Sequence, residues 1–247
     1  MLWQDEGVVL ALRRHGESSA VVSLFTYGHG RHAGLVRGGA GRRARSLYEP
    51  GNALGVTWRA RLPEQLGSFS CELQRTVAAR LLDHPDRLAA LGAACALLEA
   101  SLPERDPHPQ LYKNLLDLID VLLGDAGWPE RYVRFELALL AELGFGLDLQ
   151  ACAVTGETED LAYVSPRSGR AVSRQGAGAW ADRLLPLPGF LLGAAPADPA
   201  QIQAGLRLTG AFLRRHLFDA SERAMPSARE RLLRQLARRV GDPPAQA

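Results

Sequence analysis

Lysine, cysteine and long apolar runs are what this sequence has least of. Lys113 is the single lysine, so arginine carries nearly all the positive charge of the 29 basic residues. Three cysteines, far apart and odd in number, imply no disulfide framework and fit a reducing cytoplasm. No basic-then-apolar signal pattern opens the chain, and no apolar run approaches the roughly 18 residues of a membrane span. We therefore expect a soluble cytoplasmic protein that does not enter membranes.

The motifs of the common enzyme classes are also missing. There is no Gly-Lys-Ser/Thr phosphate loop, no Gly-x-Gly-x-x-Gly that opens a helix after a strand, no His-Glu-x-x-His and no Gly-x-Ser-x-Gly. His15, His29 and His32 lie close together in sequence, but no cysteine is near them, which disfavours a metal site there. The sequence favours a binding protein that is not an enzyme and needs no cofactor.

Charge is distributed unevenly along a chain of 247 residues, 47% of them apolar, which is enough for a real core and one or two domains. The net charge is only +2. Residues 1–80 hold 11 basic and 6 acidic side chains, residues 81–204 hold 9 and 17, and residues 205–247 hold 9 and 4. Basic ends therefore flank an acidic middle. Genome base composition can also favour arginine, so the arginine count alone does not identify a nucleic-acid binder.

Short apolar runs separated by turn residues predict five strands, at 7–12, 19–26, 32–38, 53–59 and 65–71. Five short strands favour a small barrel, and the OB-fold is the five-stranded barrel whose face and loops commonly hold oligonucleotides. Helical periodicity then predicts helices at 76–82, 85–102, 109–123, 129–143 and 199–218, and from Ser227 onward. The expected fold class is α+β, an N-terminal five-stranded OB-fold barrel followed by a helical bundle.

The domain organisation expected from these patterns has four parts. They are an OB-fold nucleic-acid-binding domain at 1–75, a helical domain at 76–150, a small irregular insert at 151–190, and C-terminal helices at 191–247 that complete the helical domain. The last helix is strongly basic, and it is compatible with a solvated cover, a second phosphate contact or a partner site.

Arginines concentrate in residues 23–46, where Arg37, Arg42, Arg43 and Arg45 fall in and after the third predicted strand. Guanidinium is planar, always charged and forks onto phosphate oxygens, and the glycine-rich run 38–41 should let this loop conform to a ligand. We predict an arginine surface for a nucleic-acid backbone; a solvated loop is the alternative. The predicted DNA-binding residues are Arg13, Arg14, Arg31, Arg37, Arg42, Arg43, Arg45, Arg59 and Arg61.

Arg131 and Arg134 form a second candidate site. They stand three residues apart on the predicted helix 129–143 and therefore share one face of it. One interpretation is that they pair with Glu130 or Glu136. The other is that they form a docking point for an acidic peptide tail.

Several stretches, in their order and spacing, resemble the RecO family of bacterial recombination mediators. In the first forty residues they are Glu6-Gly7-Val8-Val9-Leu10, Gly16-Glu17-Ser18-Ser19, Leu24-Phe25-Thr26 with Gly30, and Leu35-Val36-Arg37-Gly38. Further along they are Arg134-Phe135-Glu136-Leu137-Ala138-Leu139-Leu140, Leu143-Gly144-Phe145-Gly146, Cys152-Ala153 and Ser165-Pro166-x-x-Gly169. After about residue 190 the resemblance is thin.

This resemblance implies an N-terminal OB-fold, a helical body and a small zinc-ribbon-like insert. It implies a protein that binds single- and double-stranded DNA, anneals complementary strands, engages the acidic C-terminal tail of single-strand-binding protein, and with RecR helps load RecA in DNA repair. No nucleotide is implied. Carried over by position, Arg37, Arg42, Arg43 and Arg45 would contact DNA, and Arg134 would belong to the tail-binding face.

The insert departs from the family pattern. Some relatives have two cysteine pairs there, whereas this sequence keeps Cys152 and has Thr155, Ser173 and Gly176 in place of the other thiols. One thiol cannot make a four-ligand structural zinc site, so we expect the insert to fold without metal.

An alternative to the DNA-binding mediator is a non-enzymatic adaptor whose OB-like domain binds a peptide or RNA. The acidic middle of the chain and the Arg131/Arg134 pair motivate it. Binding of a labelled oligonucleotide and, separately, of an acidic peptide would distinguish the two.

Overall fold

A computed structural model describes residues 1–124, 126–194 and 196–241, except for the side chains of residues 42, 43 and 239–241. The chain forms two compact units, Met1–Asp125 with Pro226–Leu232, and Ala126–Met225 with Leu233–Ala247. The four-part domain division expected from the sequence stays a prediction. Within the described ranges, no helix combines the length and apolarity needed to cross a membrane.

The first unit is built on a closed barrel with the strand order β1-β2-β3-β5-β4. Its strands are β1 (Leu2–His15), β2 (Ser19–Thr26), β3 (Gly30–Val36), β4 (Ala53–Arg59) and β5 (Ser68–Arg75). Neighbouring strands are antiparallel except β3 and β5, which close the barrel through one parallel pair at Leu35 and Ser68. The predicted five-stranded OB-fold barrel is confirmed.

Alternation along the strands builds the barrel core, because every second side chain of a strand points to the same face. Val22, Leu24 and Leu54 are completely buried, and the larger rings of Trp58 and Phe69 fill the space beside them. Burying a side chain of this size stabilises the fold by roughly 1.5–3 kcal/mol. The barrel is therefore held mainly from within, which leaves its outer face available for other contacts.

Residues 38–45 differ from the predicted flexible loop. Gly38 has a φ of +72°, a region that side-chain-bearing residues rarely adopt. Gly39 is buried, and a Cβ at its position would lie 2.9 Å from the Cβ of Ala20. These two glycines therefore serve turn geometry and close packing. The chain then enters the six-residue helix α1 (Arg42–Leu47), so Arg42, Arg43 and Arg45 stand on helical backbone rather than on a loop.

Four predicted elements also need corrected boundaries. β3 spans Gly30–Val36 rather than 32–38. β1 begins at Leu2 rather than at residue 7, because its first residues pair with β4 from Leu2 opposite Arg59 to Val8 opposite Ala53. β5 lies later in the chain than the predicted strand 65–71. The predicted helix 76–82 is only a short 3-10 turn, Ala78–Leu81.

Two long helices complete the first unit before the final segment. α2 (Pro85–Ser101) and α3 (Pro109–Leu123) each begin with proline, which suits a first turn because an N–H there has no intrahelical partner. α2 packs on β1 and on α3. The predicted apolar stripe of α3 is buried: Leu111, Leu115, Leu118, Ile119 and Leu122.

The second unit combines helices with a small sheet. α4 (Trp128–Glu142) packs on α6 (Pro199–Leu213), which continues as a π-helical turn, Arg214–Phe218. The sheet has the order β7-β6-β8. Its strands are β6 (Leu161–Val164), β7 (Ala171–Ser173) and β8 (Leu185–Pro186), and the short helix α5 (Arg174–Ala177) follows β7. The last helix, α7 (Ser227–Gly241), belongs to the first unit up to Leu232 and to the second unit from Leu233. The predicted irregular insert therefore contains a three-stranded sheet.

Candidate nucleic-acid interface

An open groove of about 590 Å³ crosses the outer face of the barrel. Strand pairing creates it: Arg59 at the end of β4 lies opposite both Leu2 of β1 and Ser68 of β5, and Ser68 lies opposite Leu35 of β3. Arg37 follows β3 directly and reaches the same groove. The lining residues are Leu2, Gln4, Leu35, Arg37, Thr57, Arg59, Ser68, Phe69 and Ser70.

The groove is electrostatically suited to an anion. Both of its charged side chains are guanidiniums, Arg37 and Arg59, and both residues are exposed. Within the described residues neither forms an ion pair with a carboxylate. The hydroxyls of Thr57, Ser68 and Ser70 add neutral donors that can also bond phosphate oxygens. The groove can therefore bind a phosphate backbone without first breaking an internal salt bridge.

Arg13 and Arg31 lie on a different face. They line a pocket of about 300 Å³ together with Glu99 and Glu104. Arg13 Nη2 lies 3.5 Å from Glu99 Oε1, and Arg31 Nη1 lies 3.7 Å from Glu99 Oε2 and 3.4 Å from Glu104 Oε1. Arg31 Nε also donates to the carbonyl of Leu102 at 2.8 Å. Two guanidiniums here meet two carboxylates, so this pocket has little net charge to offer a phosphate.

The remaining predicted contacts are spread around the barrel. Arg14 stands near the end of β1, Arg45 on α1 and Arg61 in the connection between β4 and β5, and all three are exposed. The side chains of Arg42 and Arg43 lie outside the described residues. Of the nine predicted arginines, the structure brings Arg37 and Arg59 together in one groove and Arg13 and Arg31 together in another; which of them touch DNA stays a prediction.

Arg131 and Arg134 are both exposed on α4, but the structure gives them different surroundings. Arg134 donates to the carbonyl of Phe190, and its guanidinium carbon lies 5.9 Å from the centroid of the Phe190 ring. Glu130 instead accepts from the backbone N–H of Ala197 at 2.8 Å. Within the described part of the chain, no ion pair joins either arginine to Glu130 or Glu136. The pairing interpretation therefore lacks support.

An apolar pocket of about 220 Å³ lies in the second unit, and sequence reasoning missed it. Its lining comes from the start of α4, the start of α6 and α7: Trp128, Pro129, Ala197, Pro199, Ile202, Gln203 and Leu236. Arg131 is three residues after Trp128 and Arg207 is four after Gln203, so each shares a helix face with a lining residue. The sequence feature that could have indicated this pocket is Trp128, a large apolar residue directly before Pro129 in the first turn of α4.

Cys152, Thr155, Ser173 and Gly176 converge on one point of the insert. Cys152 Sγ accepts from Thr155 N at 3.4 Å, from Ser173 N at 3.2 Å and from Ser173 Oγ at 3.4 Å. A Cβ at Gly176 would lie 2.9 Å from the same sulfur. Burial opposes ionisation of Cys152, but hydrogen bonds from Ser173 and Thr155 outweigh it and lower the pKa to about 6.

This donor set does not fit a structural zinc ion. Zinc in such sites takes four thiolate or imidazole ligands, whereas the convergence of Cys152, Thr155, Ser173 and Gly176 supplies one sulfur and two hydroxyls. Nor do the described residues contain any other group of three or more His, Cys, Asp or Glu side chains placed to hold a metal. Where a zinc site would have four ligands around a metal ion, Thr155 and Ser173 instead donate hydrogen bonds to the Cys152 sulfur.

A closed five-stranded barrel with an arginine groove on its outer face, followed by helices, defines an OB-fold protein of the α+β class. Family models described as the recombination protein O N terminal and the recombination protein O C terminal match residues 1–76 and 82–225. The chain belongs to the RecO family.

Relatives named DNA repair protein RecO cover nearly the whole chain. The relative from Cereibacter sphaeroides strain KD131 is 53% identical over 239 residues, which are 96% of this chain and 99% of the relative. The relative from Rhodospirillum rubrum is 52% identical over 243 residues, 96% of each chain. The relative from Ruegeria sp. strain TM1040 is 51% identical over 241 residues, 97% of this chain and 100% of the relative.

Proposed function

We propose that this RecO-family chain is a cytoplasmic, non-enzymatic DNA-binding mediator. It anneals complementary single strands and, with RecR, helps load RecA onto DNA coated by single-strand-binding protein. The observation that supports DNA binding most directly is the groove in which Arg37 and Arg59 stand without a carboxylate partner among the described residues. Family membership supports the role in DNA repair.

Annealing follows from which part of DNA such a groove would hold. Guanidiniums and hydroxyls bind phosphate and sugar oxygens, and those contacts carry no sequence information. A strand held by its backbone keeps its base edges available for pairing with a second strand. Because arginine also neutralises the phosphate charge that makes two strands repel, this binding should speed their pairing without any covalent chemistry.

The tail of single-strand-binding protein is the partner proposed for the second unit. An acidic peptide needs cationic neighbours and, for affinity, an apolar anchor point. The apolar pocket lined by Trp128 and Ile202 offers the anchor point, and Arg131 lies one turn from Trp128 on α4. Arg134, tied to the Phe190 carbonyl, should contribute less than Arg131.

The decisive experiment for DNA binding uses fluorescence anisotropy with a labelled single strand of about 16 nucleotides, the upper site size of one OB-fold. Arg37→Ala/Arg59→Ala should weaken binding and slow annealing of two complementary strands. Arg80→Ala removes an exposed charge from the 3-10 turn outside the barrel and should change neither rate nor affinity. Equal binding by the double variant and the wild type would contradict a groove-bound strand.

The tail is tested separately with a labelled acidic C-terminal peptide. Arg131→Ala should weaken binding of the peptide and leave binding of the oligonucleotide unchanged. Arg167→Ala is the matched control, because Arg167 is exposed and forms no ion pair in the described part of the chain. Peptide binding without oligonucleotide binding would favour the adaptor function. Competition by RNA of the same sequence would show whether the groove distinguishes DNA from RNA.

A further inference from the structure

The connection between β4 and β5, residues 60–67, accepts hydrogen bonds from four residues outside it. The Met1 ammonium donates to the Ala60 carbonyl at 2.6 Å, and three further donors bond residues 63–67. Trp58 Nε1 donates to the carbonyl of Leu66 at 3.0 Å, and the backbone N–H of Leu35 donates to the carbonyl of Gly67 at 3.0 Å. The fourth donor is the guanidinium of Arg105, which bonds the carbonyl of Pro63 and, at 2.8 Å, that of Gln65. A surface connection is thus fixed mainly through its carbonyls.

Arg105 reaches this connection from outside the barrel. It lies between α2 and α3, and its own backbone N–H donates to the carbonyl of Arg31 in β3 at 2.8 Å. Its φ is +61°, a conformation that residues with a side chain rarely adopt and that persists only where surrounding contacts enforce it. The Arg31 side chain anchors the same connection between α2 and α3 at a second point, because its Nε donates to the Leu102 carbonyl at 2.8 Å.

The connection matters because each of its ends adjoins a residue that lines the groove. It starts directly after Arg59 and ends directly before Ser68, and both of these residues line the groove. If residues 60–67 were loose, the groove wall would have to be ordered each time a strand bound, and that conformational entropy would be subtracted from the affinity.

We infer that Arg105 is a positioning residue for strand binding, which it supports by fixing residues 60–67 beside the groove and not by touching the strand. This inference rests on the proposed DNA binding. Since the Arg105 guanidinium is directed to two carbonyls, it should contribute no phosphate contact of its own. Its loss should therefore lower affinity without changing the number of counterions released.

Two variants separate the effect of losing the guanidinium from the effect of backbone strain at position 105. Arg105→Ala removes the guanidinium but keeps a Cβ at positive φ, whereas Arg105→Gly removes it and accepts φ of +61° without strain. Both should weaken binding of the single strand about tenfold, the scale expected from losing two hydrogen bonds that order the site. Amide hydrogen exchange should become faster in residues 60–67. Arg80→Ala is again the charge-matched control and should change neither quantity.

The slope of log affinity against log salt identifies the mechanism. A positioning role leaves it unchanged, and a direct phosphate contact would reduce its size by about 0.7 for a single strand. Wild-type affinity in both variants, a reduced slope, or a lower melting temperature with unchanged affinity would each overturn the inference. If the unmodified protein does not bind the strand at all, the proposed function fails first and the inference falls with it.

Discussion

Salt dependence tests most sharply whether Arg37 and Arg59 hold a strand by its phosphates. Each phosphate contacted on a single strand contributes about −0.7 to the slope of log affinity against log salt, because bound counterions are released. Replacing both arginines with alanine removes two contacts, so the slope should become less steep by about 1.4. Over a fourfold rise in salt, the ratio of variant to wild-type dissociation constants should then shrink about sevenfold.

The total slope follows from how many guanidiniums can engage. Of the nine predicted DNA-binding arginines, those that are exposed and have no carboxylate partner among the described residues are Arg14, Arg37, Arg45, Arg59 and Arg61. With all of them engaged, the slope of the unmodified protein is about −3.5, and the fourfold rise in salt weakens binding about a hundredfold.

Anisotropy titrations at about 50, 100 and 200 mM salt measure both slopes directly. Arg13→Ala is the internal comparison, because Arg13 stands 3.5 Å from Glu99 on the other face, and its removal should leave the slope at the wild-type value. An unchanged slope in Arg37→Ala/Arg59→Ala would refute the reasoning. So would an equal loss of slope in Arg13→Ala, since the effect would then come from overall charge and not from contacts in the groove.

Three further outcomes are expected. Gly30→Ala should lower the free energy of unfolding by about 3 kcal/mol in urea denaturation, because φ is +64° and the new Cβ would lie 1.9 Å from the Asp106 carbonyl oxygen. Gly38→Ala is the comparison: φ is +72° but a Cβ there would meet open space, so the loss should be about 1 kcal/mol. The pKa of Cys152 is about 6 in the folded protein, against 9.0 for an ordinary thiol, so its contribution to stability should be complete above pH 9 and disappear as the pH falls through 6. Cys152→Ser should flatten this dependence of the free energy of unfolding on pH, and an unchanged profile would contradict the prediction. Elemental analysis of the purified protein should find no stoichiometric zinc, and one equivalent would show that the assignment of the insert is wrong.

Elements with strong local signals were predictable from the sequence. α3 runs over the predicted residues because a proline opens it and its apolar side chains recur at helical spacing. β2 and β4 also match their predicted bounds. α1 was missed because six residues are too few for a periodic pattern and glycines precede it. β1 was predicted too short because its exposed first residues include polar side chains that only pairing with β4 draws into a strand.

The candidate site was only partly predictable, because it depends on contacts between distant parts of the chain. Arg37 and Arg59 meet through strand register across β5, which no single segment encodes. In the sequence, Arg31 looks as good a candidate as Arg37. In the structure, however, it forms ion pairs with Glu99 and Glu104, which come from outside the barrel. Residue type therefore identified the candidates, and tertiary structure separated those facing carboxylates from those facing solvent.

The parallel pair of Leu35 and Ser68 is the narrowest seam of the barrel, since β3 and β5 meet there in one register position while the other strands pair over many. Thermal opening of the barrel should begin at this seam. Arg37 follows one strand of the seam, and Arg59 lies opposite Ser68 on the other. A polyanion held by both arginines would span the seam, so ligand binding should also protect the barrel against opening, and the melting temperature should rise with ligand concentration.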